Sequence, residues 1–90
     1  MKKEKIEKIV FDTIDHYLPS TKRGIEKRNN KGYQTYFQGD LGFDSLKTVE
    51  LFLECEKTFG IIFSDDEINY TKTIEELINN IDEKLKQKNK

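Results

Sequence analysis

Helix-start signals in the second half of this 90-residue chain constrain its fold more than any other feature. Ser64 is followed three residues later by Glu67, and Thr73 is followed at the same spacing by Glu76. Each pair forms a capping box, in which the two side chains bond to backbone N–H groups at the N-terminus of a helix. Another helix is expected to start at residues 44–45, before a run of apolar residues with helical spacing. Since no alternating apolar pattern typical of strands competes with these signals, we expect an all-α fold.

The apolar periodicity predicts four helices and one long loop. The first helix covers residues 3–18 and is ended by Pro19, which cannot continue a helix. The other elements are helices over residues 44–59, 64–69 and 73–86 and a loop over residues 19–43. A chain of this length forms one small core, so we predict a single domain over residues 1–90. The expected architecture is a four-helix bundle with a short third helix.

Charge is distributed unevenly along the chain, although the formal net charge is only −1. Residues 40–67 hold eight acidic residues and two lysines, whereas residues 22–31 hold five basic residues and one acid. The acidic centre should attract basic partners and repel nucleic acid, so we expect no nucleic-acid partner. Nucleic-acid binding through the basic segment 22–31 stays open as an alternative.

The chain shows no sign of secretion or membrane insertion. Cys55 is the only cysteine and has no partner for an internal disulfide, which fits a reducing compartment. No apolar run approaches the ~20 residues that a membrane span needs. We therefore predict a cytoplasmic monomer that does not contact the membrane.

The second predicted helix carries two separate apolar faces. At about 100° per residue, one face holds Thr48, Leu51, Phe52, Cys55 and Phe59. The other face holds Leu46, Val49 and Leu53, with Glu50, Glu56 and Lys57 beside it. A helix needs only one apolar face to pack against a core. We expect the face with two phenylalanines to be buried and the second face, named here the Leu46–Leu53 strip, to dock partners. The alternative is a central helix with both faces buried.

Ser45 is the candidate functional residue because it stands at the start of this helix. Helix N-termini carry unpaired N–H groups and a partial positive charge, which favour a phosphate. The alternative is that Ser45 is only a helix cap, although Asp44 could cap equally well. A catalytic triad with His16, the only histidine, has little support because no oxyanion motif is present. We expect no enzymatic activity.

The other chemically capable side chains favour structural roles. Cys55 lies on the face expected to be buried and has no positioned base. One cysteine and one histidine do not make a cluster of metal ligands. Asp65, Asp66 and Glu67 lack the spacing of a calcium-binding loop and are expected to complement a helix dipole. No metal site is predicted.

Four motifs follow one another along the chain: Asp40-Leu41-Gly42-x-Asp44-Ser45-Leu46-x-Thr48-Val49-Glu50-Leu51, Phe59-Gly60-Ile61, Asp65-Asp66-Glu67 and Thr73-Ile74-Glu75-Glu76-Leu77. In their order and spacing they resemble the acyl carrier proteins. The segment from Ile6 to Leu18 is similar to the first helix of that family. The resemblance implies a four-helix bundle of acyl-carrier type. It also implies a non-catalytic protein that holds acyl groups as thioesters on a 4′-phosphopantetheine arm.

The resemblance implies roles for individual residues as well. A carrier-protein synthase, a phosphopantetheinyl transferase, would transfer the arm from coenzyme A to the Ser45 hydroxyl, with Asp44 at the magnesium site of the synthase. Acyl-transferring and acyl-modifying enzymes with basic docking surfaces would contact Leu46, Lys47, Val49, Glu50, Leu53 and Glu56. The acyl cavity and core would consist of Leu51, Phe52, Cys55, Phe59, Ile74 and Leu77.

Three features differ from the usual pattern of the family, one being a sequence pI of about 5.9, which is less acidic than usual. Lys47 stands where the family usually has an acid, so a positive charge is expected beside the phosphate. The loop between the first two helices is longer and more basic than usual. The resemblance implies a carrier in fatty acid or related acyl metabolism, and these departures indicate a specialised or secondary one. A dedicated aminoacyl or polyketide carrier and an unmodified helical interaction module stay open as alternatives.

Overall fold

The computed structural model describes residues 2–17, 37–39 and 41–88. Within these residues the chain forms four helices, numbered in chain order: α1 Lys3–His16, α2 Ser45–Phe59, α3 Asp65–Tyr70 and α4 Ile74–Lys88. Helix α1 packs against both α2 and α4. The predicted all-α fold with a short third helix is confirmed. The predicted loop 19–43 lies mostly outside the described residues, and the basic segment 22–31 lies wholly outside them. The assignment of the chain to one domain stays a prediction.

Both predicted capping boxes are present. At α3, the Ser64 N–H donates to Glu67 Oε1 at 2.9 Å, and the Glu67 N–H donates to Ser64 Oγ at 3.1 Å. At α4, the Thr73 N–H donates to Glu76 Oε1 at 3.0 Å, and the Glu76 N–H donates to Thr73 Oγ1 at 3.2 Å. The reciprocal bonds satisfy N–H groups that have no partner inside their helix, and so they fix where α3 and α4 begin.

Helix α2 ends at a glycine, and one of its own carboxylates holds the chain that follows. Gly60 has a φ of 67°, a left-handed conformation that glycine adopts without strain, and its N–H donates to the Glu56 carbonyl at 2.8 Å. The Glu56 carboxylate accepts a hydrogen bond from the Phe63 N–H at 2.7 Å. This bond fixes the connection between α2 and α3.

One cluster of buried side chains joins α1, α2 and α4. Its members on these helices are Ile6, Val10, Phe11, Ile14, Leu51, Phe52, Cys55, Phe59, Ile74, Leu77, Ile78 and Ile81. The ring centroid of Phe52 lies 6.0 Å from that of Phe37 and 5.1 Å from that of Phe63. All five residues of the predicted core face of α2 are buried. That prediction is therefore confirmed.

Buried side chains also hold the segment before α2 against the core. Phe37, Leu41 and Phe43 are buried. The Phe37 N–H donates to the Lys72 carbonyl at 3.1 Å, and the Phe43 N–H donates to the Phe37 carbonyl at 2.9 Å. Gly42 turns the chain between them with a φ of 70°. These contacts fix the position at which α2 begins.

The ion pair between Glu67 and Lys84 should make stability depend on pH in the acid range. Lys84 Nζ lies 2.7 Å from Glu67 Oε2. The hydrogen bonds from Lys84 and from the Ser64 N–H lower the pKa of the Glu67 carboxyl. Such a carboxyl stabilises the fold above its unfolded pKa of about 4.3 and loses that contribution as pH falls through the lower, folded pKa. Because the pair is partly exposed, Lys84→Met should lower the free energy of unfolding near neutral pH by at most about 1 kcal/mol.

Urea denaturation of wild type and Lys84→Met over a series of pH values measures this effect. We expect the difference between the two proteins to shrink below about pH 4. Lys86→Met is the matched control, because Lys86 pairs with Asp82 at 3.2 Å on the exposed side of α4 and should contribute little. A Lys84→Met effect that stays constant across the pH series would mean that Lys84 acts by packing on Phe63, whose ring centroid lies 5.6 Å from its Nζ.

Candidate functional site

Ser45 is the first residue of α2 and directly follows the N-cap residue Asp44. The Asp44 carboxylate accepts a hydrogen bond from the Lys47 N–H at 2.8 Å, so Asp44 is the cap. The alternative in which Ser45 is only a cap is therefore wrong. The Ser45 side chain is exposed, and no residue within the described ranges bonds to its hydroxyl. The hydroxyl is accessible to an enzyme that modifies it.

The first turn of α2 suits a bound phosphate. The N–H groups of Lys47 and Thr48 donate to Asp44, at 2.8 Å and 3.0 Å. The N–H groups of Ser45 and Leu46 have no acceptor in the part of the chain that the structure describes. The turn contains no acidic residue. The free N–H groups and the positive end of the helix dipole therefore favour a phosphodiester on the Ser45 oxygen.

Lys47 has a contact that the sequence pattern did not indicate. Its Nζ lies 3.5 Å from the Tyr17 carbonyl oxygen and 5.8 Å from the centroid of the Phe43 ring. The Tyr17 hydroxyl in turn donates to the Glu50 carbonyl at 3.4 Å. Burial, and then the charges of Glu54 and Glu50, raise the pKa of Tyr17. The ammonium group thus has a partner at the C-terminal end of α1, where it complements the helix dipole.

The Leu46–Leu53 strip is exposed on the surface of α2. Leu46 is 68% exposed, Leu53 is 51% exposed and Val49 is 37% exposed. Glu50 and Glu54 lie on the same helix and are also exposed. The alternative in which both apolar faces of α2 are buried is wrong. By helical spacing, the exposed acid Glu50 and the exposed lysine Lys57 lie next to this apolar surface.

The two acids predicted to contact partners have different surroundings. Glu50 is exposed next to the strip. Glu56 is half-buried, and its carboxylate bonds to the Phe63 N–H. Glu56 therefore has a role inside the fold, and its contact with partners stays a prediction. Glu54, which the sequence reasoning did not select, is another exposed acid of α2.

A cavity of about 350 Å³ opens beside Ser45. It lies between α2, the segment 37–39 and the chain from α3 to α4. Its walls include Phe37, Thr48, Val49, Ile68, Thr71 and Lys72. This volume is near the lower end for small-molecule sites. The cavity provides room for a group attached to Ser45.

The residues predicted to form an acyl cavity lie elsewhere. Among the described residues none of the six lines the cavity beside Ser45: Leu51, Phe52, Cys55, Phe59, Ile74 and Leu77 are all buried in the core. Burial, and then the charge of Glu54, raise the pKa of the Cys55 thiol to about 12, so it stays protonated near neutral pH. The sequence reasoning missed the cavity because its walls come from three separate parts of the chain. The one available signal was Phe37, an aromatic residue at the end of a polar loop.

The described residues contain neither a cluster of metal ligands nor a membrane-spanning helix. Within residues 2–17, 37–39 and 41–88, no three His, Cys, Asp or Glu side chains are grouped so as to hold a metal ion. No helix in the described part of the chain has both the length and the apolar character needed to cross a membrane.

Comparisons with known proteins identify the family. Residues 27–81 match the family model described as a phosphopantetheine attachment site. The acyl carrier protein of Chloroherpeton thalassium is 42% identical over 66 residues, which cover 73% of this chain and 81% of the relative. The acyl carrier protein of Phytoplasma australiense is 40% identical over 52 residues, covering 58% of this chain and 68% of the relative. The acyl carrier protein of Rickettsia bellii is 45% identical over 47 residues, covering 52% of this chain and 58% of the relative.

Both the family model and these relatives cover the start of α2, where the accessible serine and the adjoining cavity lie. The model spans more than half of the chain, and the Chloroherpeton relative is matched over most of its length. The chain therefore belongs to the acyl carrier protein family, and it is a non-catalytic acyl carrier that bears a 4′-phosphopantetheine group.

Proposed function

We propose that Ser45 is the residue that carries the phosphopantetheine group. The observation that supports this most strongly is the exposed Ser45 hydroxyl at the first position of α2, left free because Asp44 caps the helix. In loading, the Ser45 oxygen forms a bond to the phosphorus that carries the pantetheine of coenzyme A. The bond from that phosphorus to the nucleotide breaks, and the hydroxyl proton passes to the synthase. Asp44 contributes by contacting the magnesium site of the synthase.

The bound arm supplies a terminal thiol that holds acyl groups as thioesters. We propose that the protein presents these groups to biosynthetic enzymes of fatty acid or related acyl metabolism, in the cytoplasm. The Leu46–Leu53 strip contacts those enzymes, and Glu50 and Glu54 attract their basic surfaces. Exposed apolar side chains with exposed acids on the same helix suit contacts that form quickly and also separate quickly. Such contacts suit a protein that must visit several enzymes.

A loading assay tests the assignment of Ser45. Incubation with coenzyme A, magnesium and a broad-specificity carrier synthase should add one phosphopantetheinyl group to the wild type, as measured by intact-protein mass spectrometry. Ser45→Ala should gain no mass because the nucleophilic oxygen is absent. Circular dichroism should show that Ser45→Ala keeps its helices, since its side chain bonds to no described residue.

Ser64→Ala is the matched control, because Ser64 also stands at a helix start but serves as the N-cap of α3. We expect it to be loaded like the wild type, with a loss of about 1 kcal/mol in the free energy of unfolding. Loading that persists in Ser45→Ala would contradict the assignment. A wild type that no synthase loads, including that of the host, would favour the unmodified interaction module.

The proposed role of the acids predicts that docking depends on salt. Association of the loaded protein with a partner enzyme should slow as ionic strength rises, and Glu50→Lys should slow it at low salt while the fold is kept. Stopped-flow measurement of association rates at several salt concentrations gives the comparison. Glu83→Lys is the control, because Glu83 is an exposed acid on α4, away from the strip. If Glu50→Lys and Glu83→Lys change the association rate equally, electrostatic attraction of the partner enzyme by Glu50 is excluded.

A further inference from the structure

We propose that the apolar docking surface of α2 continues past the helix onto Ile62, and that the synthase which loads the phosphopantetheine group contacts this residue. Glu56 is a positioning residue for this surface, because it holds the chain that carries Ile62 instead of contacting the synthase. The inference rests on the proposed docking role of the Leu46–Leu53 strip and adds a partner and two residues to it. Ile62 is 80% exposed, more than any residue of the strip.

The exposure of Ile62 follows from the backbone of the connection between α2 and α3. Residues 61–64 belong to no helix, and buried and exposed side chains alternate along them. Ile61 and Phe63 are buried in the core cluster, whereas Ile62 and Ser64 are exposed. Such alternation is typical of extended chain, in which successive side chains point to opposite sides. The burial of its two neighbours therefore directs the Ile62 side chain to the surface.

Glu56 fixes this connection to the end of α2 by three hydrogen bonds. Its carbonyl accepts from the N–H groups of Gly60 and Ile61, at 2.8 Å and 3.2 Å. Its carboxylate accepts from the Phe63 N–H at 2.7 Å. The residues on both sides of Ile62 are thus bonded to Glu56, which sets where the Ile62 side chain lies.

Ile62 lies at the C-terminal end of the strip. Glu56 follows Val49 by seven residues and Leu53 by three, and these spacings place all three residues on one side of α2. Because the Phe63 N–H bonds to the Glu56 carboxylate, the connection passes along this side of the helix. Ile62 therefore extends the exposed apolar surface beyond Leu53.

The synthase is the partner because the loading reaction brings it to the first turn of α2. Leu46 directly follows Ser45, begins the strip and is 68% exposed. Helix α2 has 15 residues, which gives a length of about 22 Å. A standard interface covers about 800 Å² of each partner, which is roughly 30 Å across. A synthase centred on the strip therefore reaches both Ser45 and Ile62.

Equilibrium binding to the carrier synthase of the host tests this surface. All the proteins compared carry Ser45→Ala, so that no loading occurs while the dissociation constant is measured by isothermal titration calorimetry. Ile62→Ala should raise the dissociation constant about five- to tenfold, with an unchanged midpoint of urea denaturation because the side chain is exposed. Tyr70→Ala is the matched control, because Tyr70 is 77% exposed and lines a groove between α3 and α4. It should bind like the parent protein, which carries Ser45→Ala alone.

Two substitutions of Glu56 separate positioning from direct contact with the synthase. Glu56→Gln removes the charge but keeps an oxygen that can accept from the Phe63 N–H, so its dissociation constant should stay within about twofold of the parent value. Glu56→Ala removes the acceptor, so it should bind about as weakly as Ile62→Ala and exchange the Phe63 amide hydrogen faster. If Glu56→Gln binds as weakly as Glu56→Ala, the charge contacts the synthase and the positioning role is overturned. If Glu56→Ala does not fold, Ile62→Ala and Glu56→Gln still decide.

Leu53→Ala distinguishes failure of this inference from failure of the proposed function. If Leu53→Ala weakens binding while Ile62→Ala binds like Tyr70→Ala, the docking surface ends at the strip and the inference is overturned. If neither Leu53→Ala nor Ile62→Ala weakens binding, the docking role of the strip fails as well. Loading of the wild type by the same synthase reports on Ser45 independently of both.

Discussion

Phe52→Ala should lower the free energy of unfolding by about 3–5 kcal/mol, which is a large part of the stability of a small domain. Phe52 is fully buried, and its ring contacts Phe37 from the segment before α2 and Phe63 from the connection after it. Its removal leaves a cavity where three parts of the chain meet. Urea denaturation followed by circular dichroism measures the loss.

Leu53→Ala is the matched comparison, since it truncates the neighbouring residue on the opposite face of α2. Leu53 is half-exposed, so this variant should differ from the wild type by about 0.5 kcal/mol or less in its free energy of unfolding. The same variant should weaken binding to a partner enzyme, because Leu53 belongs to the Leu46–Leu53 strip. Equal destabilisation by the two variants would contradict the division of α2 into a core face and a docking face.

Asp44→Asn should slow loading by a carrier synthase about tenfold or more while the fold keeps its stability. Asparagine caps a helix about as well as aspartate, so the bond to the Lys47 N–H is retained. The substitution removes the negative charge that is proposed to contact the magnesium site. Loss of a group that supports a metal site commonly lowers activity by roughly 10–100-fold. Initial loading rates from mass spectrometry, together with urea denaturation, measure both properties.

Asp44→Ala separates the two roles of this carboxylate. It should lose loading to a similar degree and, in addition, about 1 kcal/mol of stability because the cap is gone. Asp66→Asn is the control, since Asp66 is an exposed acid in the first turn of α3. It should be loaded at the wild-type rate. If Asp44→Asn is also loaded at that rate, Asp44 acts only as a cap.

Local sequence patterns predicted the parts of the fold that depend on near neighbours. In the Ser64–Glu67 and Thr73–Glu76 capping boxes the two partners are three residues apart, so a short stretch of sequence is enough to recognise each box. Helical spacing divides the apolar residues of α2 into two faces, and the face with two phenylalanines is buried as predicted. The exposure of Leu46 and Leu53 was predicted because a helix needs only one apolar face to pack against a core.

Contacts between distant residues could not be predicted in the same way. The Phe37 N–H donates to the Lys72 carbonyl, and the Lys47 ammonium group donates to the Tyr17 carbonyl. Both acceptors are backbone carbonyls, which every residue carries. The sequence therefore gives no signal for either bond. The Glu56 carboxylate resembled a surface acid, yet it accepts from the Phe63 N–H because Gly60 reverses the chain between them. The cavity beside Ser45 depends on such contacts, which is why its walls were not predicted.

The most direct measurement is the mass of the intact protein purified from its native host, followed by mapping of the modified peptide. The central claim is that Ser45 bears the phosphopantetheine group and that its thiol holds an acyl group. We predict one phosphopantetheinyl group, in part acylated, on the peptide that contains Ser45 and on no other. An unmodified protein, or an arm attached to a different residue, would contradict the account.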